Sequence, residues 1–125
     1  MKKTILVVDD FENTRWIIKN SLSKLDCEIL EASEGSGALK FFDGRDIDLL
    51  ITDLNMPGMN GIELVKEVRS NKSYGFIPII MLTTEKNIEK MNEASKANLT
   101  AWVSKPFKYD DFVKIVAKCL NQSIR

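Results

Sequence analysis

Three aspartates follow short apolar runs in this chain: Asp9 and Asp10 come after "ILVV" (5–8), and Asp53 after "LLIT" (49–52). A carboxylate next to a buried strand must be paired, bind a metal or lose its charge. Thr83 and Thr84 follow a third apolar run, "IIML" (79–82), and Lys105 follows "TAWVS" (100–104). Gathered in one place, three carboxylates repel one another unless a cation sits among them. Hard oxygen ligands with a partly open shell suit Mg²⁺, which keeps waters and takes a few carboxylates plus a phosphate. A metal, an ammonium and a hydroxyl around one carboxylate are what a phosphoryl group needs as its charge spreads over the equatorial oxygens. Asp53 is then a nucleophile that accepts a phosphoryl group as an acyl phosphate.

Each residue also has a plainer reading. Asp9 and Asp10 suit the start of a helix, where acidic side chains meet the positive end of the dipole. Asp53 suits the turn made by Asn55-Met56-Pro57-Gly58. Thr83 or Thr84 suits an N-cap, and Thr84 is expected to cap the fourth helix. Lys105 alone reads as a surface lysine, and Trp102 as edge-strand packing. Asn13 and Arg15 read as solvated helix surface. What favours the chemical reading is the convergence of the ends on one rim, which independent structural roles do not predict.

That convergence depends on the elements. Strand patterns occupy 4–8, 27–31, 47–52, 77–82 and 100–104, and helical patterns roughly 12–25, 34–43, 60–71, 85–97 and 108–121. Phe112, Ile115, Val116, Cys119 and Leu120 form one stripe at helical spacing, as do Ile18, Leu22 and Leu25. Strands alternating with helices predict βαβ units and a doubly wound parallel sheet. The runs at 5–8, 49–51 and 79–82 are apolar throughout, as interior strands are. "CEILE" and "TAWVS" carry polar residues, as edges do. Right-handed crossovers then give the order 2-1-3-4-5, a flavodoxin-like (βα)5 fold. Ligands in such sheets bind beyond the carboxyl ends of the strands at the switch point, here between strands one and three.

Composition narrows the function. The 125 residues carry 18 basic and 18 acidic side chains, a balance that argues against nucleic acid or a membrane surface as partner. The chain contains no histidine, which excludes a Ser-His-Asp triad, a His-ligated zinc and a phosphohistidine carrier. Cys27 and Cys119 stand in no metal or redox spacing and read as free thiols. The apolar part of "MKKTILVVDD" is too short for a signal peptide and runs into aspartates, so the expected location is the cytoplasm.

"VVDD", "DLNMPGMNG", "MLTT" and "SKPF", in this order over essentially the whole chain, resemble the response-regulator receiver family, and most of all its stand-alone CheY-like chemotaxis members. The resemblance implies one receiver domain spanning 1–125 with no output domain. It makes Asp9 and Asp10 the acidic metal pair, Asp53 the phosphoacceptor and metal ligand, and the backbone carbonyl of Asn55 the last protein ligand to Mg²⁺. Thr83 is then the switch hydroxyl, Lys105 the pocket lysine, Trp102 the switch aromatic, and the Lys105–Pro106 bond is cis. Asn55 and Glu85 would flank the path of hydrolytic water, and Glu12 would either tune the metal site or start the helix. Ala97-Asn98-Leu99 replaces the family's small-residue turn, with Asn98 suited to left-handed geometry.

The implied partners are a sensor histidine kinase as phosphodonor and a target protein on the face of helix four, strand five and helix five. The chain itself would be a monomer, or a dimer once phosphorylated. The alternatives are a phosphorelay shuttle with the same pocket, a Mg²⁺-dependent aspartyl-phosphate phosphatase and a flavodoxin-type flavin protein. Asn55 stands two residues after Asp53, where such phosphatases place an acid, and cannot protonate a leaving group. The acidic "DDFEN" would repel a flavin phosphate.

Overall fold

The apolar runs form five strands in the computed structural model, which describes residues 2–124: β1 Lys3–Val8, β2 Cys27–Ala32, β3 Leu49–Thr52, β4 Ile79–Thr83 and β5 Ala101–Ser104. All pair in parallel in the order β2-β1-β3-β4-β5, as the distribution of polar residues predicts. β3 and β4 are buried at every position, whereas β2 and β5 are half-exposed.

Five helices cover the sheet: α1 Glu12–Ser21, α2 Gly35–Leu39, α3 Gly61–Ser70, α4 Ile88–Lys96 and α5 Tyr109–Leu120. The two-residue period of the strands divides the core between the faces. Ile5, Val7, Leu49, Ile51, Ile80 and Leu82 meet Ile18 of α1 and Phe112, Val116 and Leu120 of α5. Leu6, Val8, Leu50, Ile79 and Met81 meet α2, α3 and Ala94 of α4.

Several boundaries differ from the sequence reading. α1 stops at Ser21 although Leu22 and Leu25 are both buried; they reach the core from a turn closed by Leu25 N–H donating to Leu22 O at 3.0 Å. α2 is five residues long, with Gly35 and Gly37 weakening the helix. α4 begins at Ile88, not at 85, and Thr84 does not cap it. Its N-cap is Asn87, whose side chain accepts from Lys90 N, while the Glu85 carboxylate takes the amides of Lys86 and Asn87. Asn98, with φ of 67°, holds the left-handed geometry expected after α4. Among the described residues, no helix is long and apolar enough to cross a membrane.

Candidate functional site

Backbone ladders carry the chemistry-bearing residues to one rim. Asp9 N donates to Ala32 O at 3.2 Å, Asp53 N to Val8 O at 3.0 Å and Lys105 N to Thr83 O at 2.9 Å. β1 lies between β2 and β3, so Asp9, Asp10 and Asp53 emerge side by side at the switch point.

One carboxylate oxygen from each of Asp9, Asp10 and Asp53 lies within 4.8 Å of the other two. Asp9 and Asp53 are buried. Lys105 Nζ bridges them, donating to Asp9 Oδ2 at 2.7 Å and to Asp53 Oδ2 at 3.3 Å. The other oxygens of these two face amides: Asp9 Oδ1 accepts from Phe11 N, and Asp53 Oδ1 from Leu54 N at 2.6 Å. Asp10 Oδ1 is different. It is the one buried side-chain oxygen or nitrogen among the described residues that lacks a hydrogen-bond partner. Three carboxylates with a single ammonium leave an excess of negative charge, and the orphaned oxygen marks where it is uncompensated. An oxygen-rich donor set of this kind fits a hard divalent cation such as Mg²⁺.

Thr83 is fully buried at the end of β4, and its Oγ1 accepts from Glu85 N at 3.2 Å. Trp102, on β5, is half-buried and packs against the layer that contains α3 and α4. The Lys105–Pro106 bond is cis. Asn55 is exposed at the mouth of the pocket, where its Nδ2 donates to Glu85 Oε1 at 3.3 Å. Hydrogen bonds from Lys90, Asn55 and the Asn87 amide lower the Glu85 pKa to about 2. Glu12 is exposed at the start of α1 and, with Asn13, is solvated helix surface.

Arg15 is not. Its guanidinium donates to the Asp9 carbonyl through Nη1 and to Glu31 Oε1 at 3.0 Å, and only 14% of the side chain is exposed. It holds the backbone of the acidic turn against β2, a role that depends on Glu31, sixteen residues away. Gly61 is a second residue that pattern alone passes over. A Cβ there would run into the Asp53 carbonyl oxygen and press on Leu54 Cα and Met81 Sδ, both at 2.9 Å. The small residue that opens α3 therefore lets the helix seat directly behind Asp53. Its one sequence signal is its place just after the Asn60 cap.

The response regulator receiver domain family model matches residues 5–117. The chain belongs to this family. Over 105 residues the receiver is 49% identical to the chemotaxis protein CheY1 of Helicobacter pylori, covering 82% of this chain and 85% of that protein. It is 47% identical to a chemotaxis protein CheY homolog of Campylobacter jejuni, with 82% and 81% covered. The solved structure of the chemotaxis response regulator CheY4 of Vibrio cholerae matches with a TM-score of 0.87 at 36% identity, over 96% of this chain and 100% of that one. Receivers of this kind are two-component signalling switches that take a phosphoryl group from histidine kinases and bind downstream targets. They hold Mg²⁺ in an acidic pocket, and the receiver's own acidic group is Asp9, Asp10 and Asp53.

Proposed function

We propose that the protein is a phosphorylation-activated switch of the chemotaxis type, working in the cytoplasm, whose receiver domain gives its output by contact with a target protein. Asp53 is the phosphoacceptor. One Asp53 carboxylate oxygen attacks the phosphorus of a kinase phosphohistidine, forming an O–P bond as the N–P bond breaks. The released electron pair returns to the imidazole nitrogen, which takes up a proton. Lys105 bridges Asp9 and Asp53 before transfer and is placed to pair with the added phosphoryl oxygens afterwards. Asp9, Asp10, Asp53 and the Asn55 carbonyl would hold Mg²⁺. Bound there, the ion offsets charge on the acceptor and on the incoming phosphoryl oxygens.

The observation that carries this reading is the Lys105 bridge between Asp9 and Asp53 beside the unpartnered Asp10 oxygen. Acids meant only to cap helices would not crowd around one ammonium. N-capping does not account for them either, because the N-cap of α1 is Phe11, with no side-chain cap bond. Incubation with acetyl phosphate and Mg²⁺ should add one acid-stable, base-labile phosphate. The label should disappear with Asp53→Asn and with chelation of the metal. Labelling that survives either treatment rules out Asp53 as the metal-dependent acceptor.

A further inference from the structure

Glu85 lies between the acceptor loop and the first turn of α4, and its carboxylate is saturated. Oε1 accepts from Asn55 Nδ2 at 3.3 Å and from Lys90 Nζ at 3.1 Å. Oε2 accepts from Lys86 N and Asn87 N, both at 3.1 Å. An ionised carboxylate offers about four lone-pair sites, and four donors fill them here. Two of those donors are backbone amides fixed by the turn into α4. A third, Asn55, belongs to the acceptor loop itself. Lys90 is the remaining donor, a flexible ammonium on the helix with 46% of its side chain exposed.

Loss of the phosphoryl group from Asp53 needs water in line with the O–P bond. The water oxygen bonds to phosphorus as the bond to the Asp53 oxygen breaks. The electron pair returns to the Asp53 carboxylate, and the water proton passes to solvent. A carboxylate beside that path speeds the step by accepting a hydrogen bond from the water, provided it has a free lone pair. Glu85, as held here, has none.

We propose that Lys90 is a positioning residue that prolongs the phosphorylated state by keeping Glu85 fully occupied and turned away from the attacking water. The proposal rests on the reading of Asp53 as phosphoacceptor. Asn55 and Glu85 are tied to each other, and Lys90 sets whether that tie stays closed to water. The hydrolysis rate is thereby coupled to Lys90 in the first turn of α4, thirty-five residues beyond Asn55 in the loop that carries the acceptor.

The test follows the decay of labelled protein after removal of acetyl phosphate, in the full chain with Mg²⁺. Lys90→Met keeps helix propensity and removes the charge. It should shorten the half-life roughly threefold to tenfold, the size of one net hydrogen bond. Lys90→Arg should restore the wild-type decay. In a Glu85→Ala background, Lys90→Met should change nothing. Lys66→Met, which removes a comparable surface pair with Glu93, should also leave the decay unchanged. A second readout needs no phosphate: the Asn55 side-chain amide resonance in unphosphorylated protein should move with Lys90→Met and not with Lys66→Met. An unchanged or longer half-life in Lys90→Met overturns the proposal. So does equal acceleration without Glu85, or an Asn55 amide that does not respond. A wild type that takes no phosphate overturns the phosphoacceptor reading along with it, whereas normal labelling with unaltered decay overturns this inference alone.

Discussion

Asp10 differs from its two neighbours in what its oxygens meet. Asp9 and Asp53 each have an amide on one oxygen and Lys105 on the other, while Asp10 Oδ1 has no partner. A buried acceptor left unsatisfied costs about 1–3 kcal/mol, and more when it is charged. Asp10→Asn should therefore stabilise the metal-free protein by about 1 kcal/mol or more, read as a higher midpoint in urea without Mg²⁺. The same change should weaken Mg²⁺ binding by more than about tenfold in calorimetric titration, since even outer-shell partners of a metal contribute that much. The two effects have opposite sign, which separates a metal ligand from a merely structural acid. A variant less stable in both conditions would show Asp10 to be a turn-forming residue.

Among the elements, α3 bears most directly on Asp53. Its start is well specified: Asn60 and Glu63 form a reciprocal capping box, with Glu63 N donating to Asn60 Oδ1 at 2.9 Å and Asn60 N to Glu63 Oε1 at 3.0 Å. Gly61 N donates to Leu54 O at 2.8 Å, drawing the helix against the strand end that carries Asp53. No Cβ fits between them. Gly61→Ala must push α3 away from β3 or displace the Asp53 carbonyl. We expect a loss of about 1–3 kcal/mol in chemical denaturation, the range for overpacking. Labelling by acetyl phosphate should slow as well, because the acceptor moves. Gly58, with φ of 73°, is the nearby comparison: a Cβ there meets no atom, but the left-handed backbone is strained, so Gly58→Ala should destabilise without slowing transfer when folded protein is compared.

Across the whole molecule, the proposed switch predicts coupling of the pocket to the α4–β5–α5 face through Thr83 and Trp102. A phosphoryl group adds roughly two negative charges and three strong acceptors at the tip of β3. On this reading, drawing the Thr83 hydroxyl inward would break its bond from Glu85 N and free space beneath α4 for Trp102, which packs against that layer. About 5.5 kcal/mol of differential stabilisation carries a two-state equilibrium from 1:99 to 99:1. Beryllofluoride with Mg²⁺ should change Trp102 fluorescence in a Trp16→Phe background. Trp16 is 66% exposed on α1, so that replacement leaves the core intact. The change should vanish with Thr83→Ala. A silent indole despite confirmed binding of the mimic would make Trp102 static packing.

Strand order, the interior or edge place of each strand, and the rim on which Asp9, Asp10, Asp53, Thr83 and Lys105 meet are all legible in the order of residues. They follow from the two-residue period and from crossover handedness, which are local or topological rules. The stripe on α5 is legible for the same reason. Only the tertiary structure decides who pairs with whom across elements. Arg15 has an ordinary place on a helix until Glu31 and the Asp9 carbonyl arrive from other elements. Thr84 resembles a cap until Glu85 takes the amides that a longer helix would have used, leaving Asn87 to start α4. Leu25 continues a helical stripe but is buried from a turn, because burial depends on where a side chain ends up and not on the backbone that brings it there. Asn55 lies thirty residues from Glu85, so no local rule joins it to the Glu85–Lys90 pair at the start of α4; their contact exists because the loops after β3 and β4 close over neighbouring strand ends.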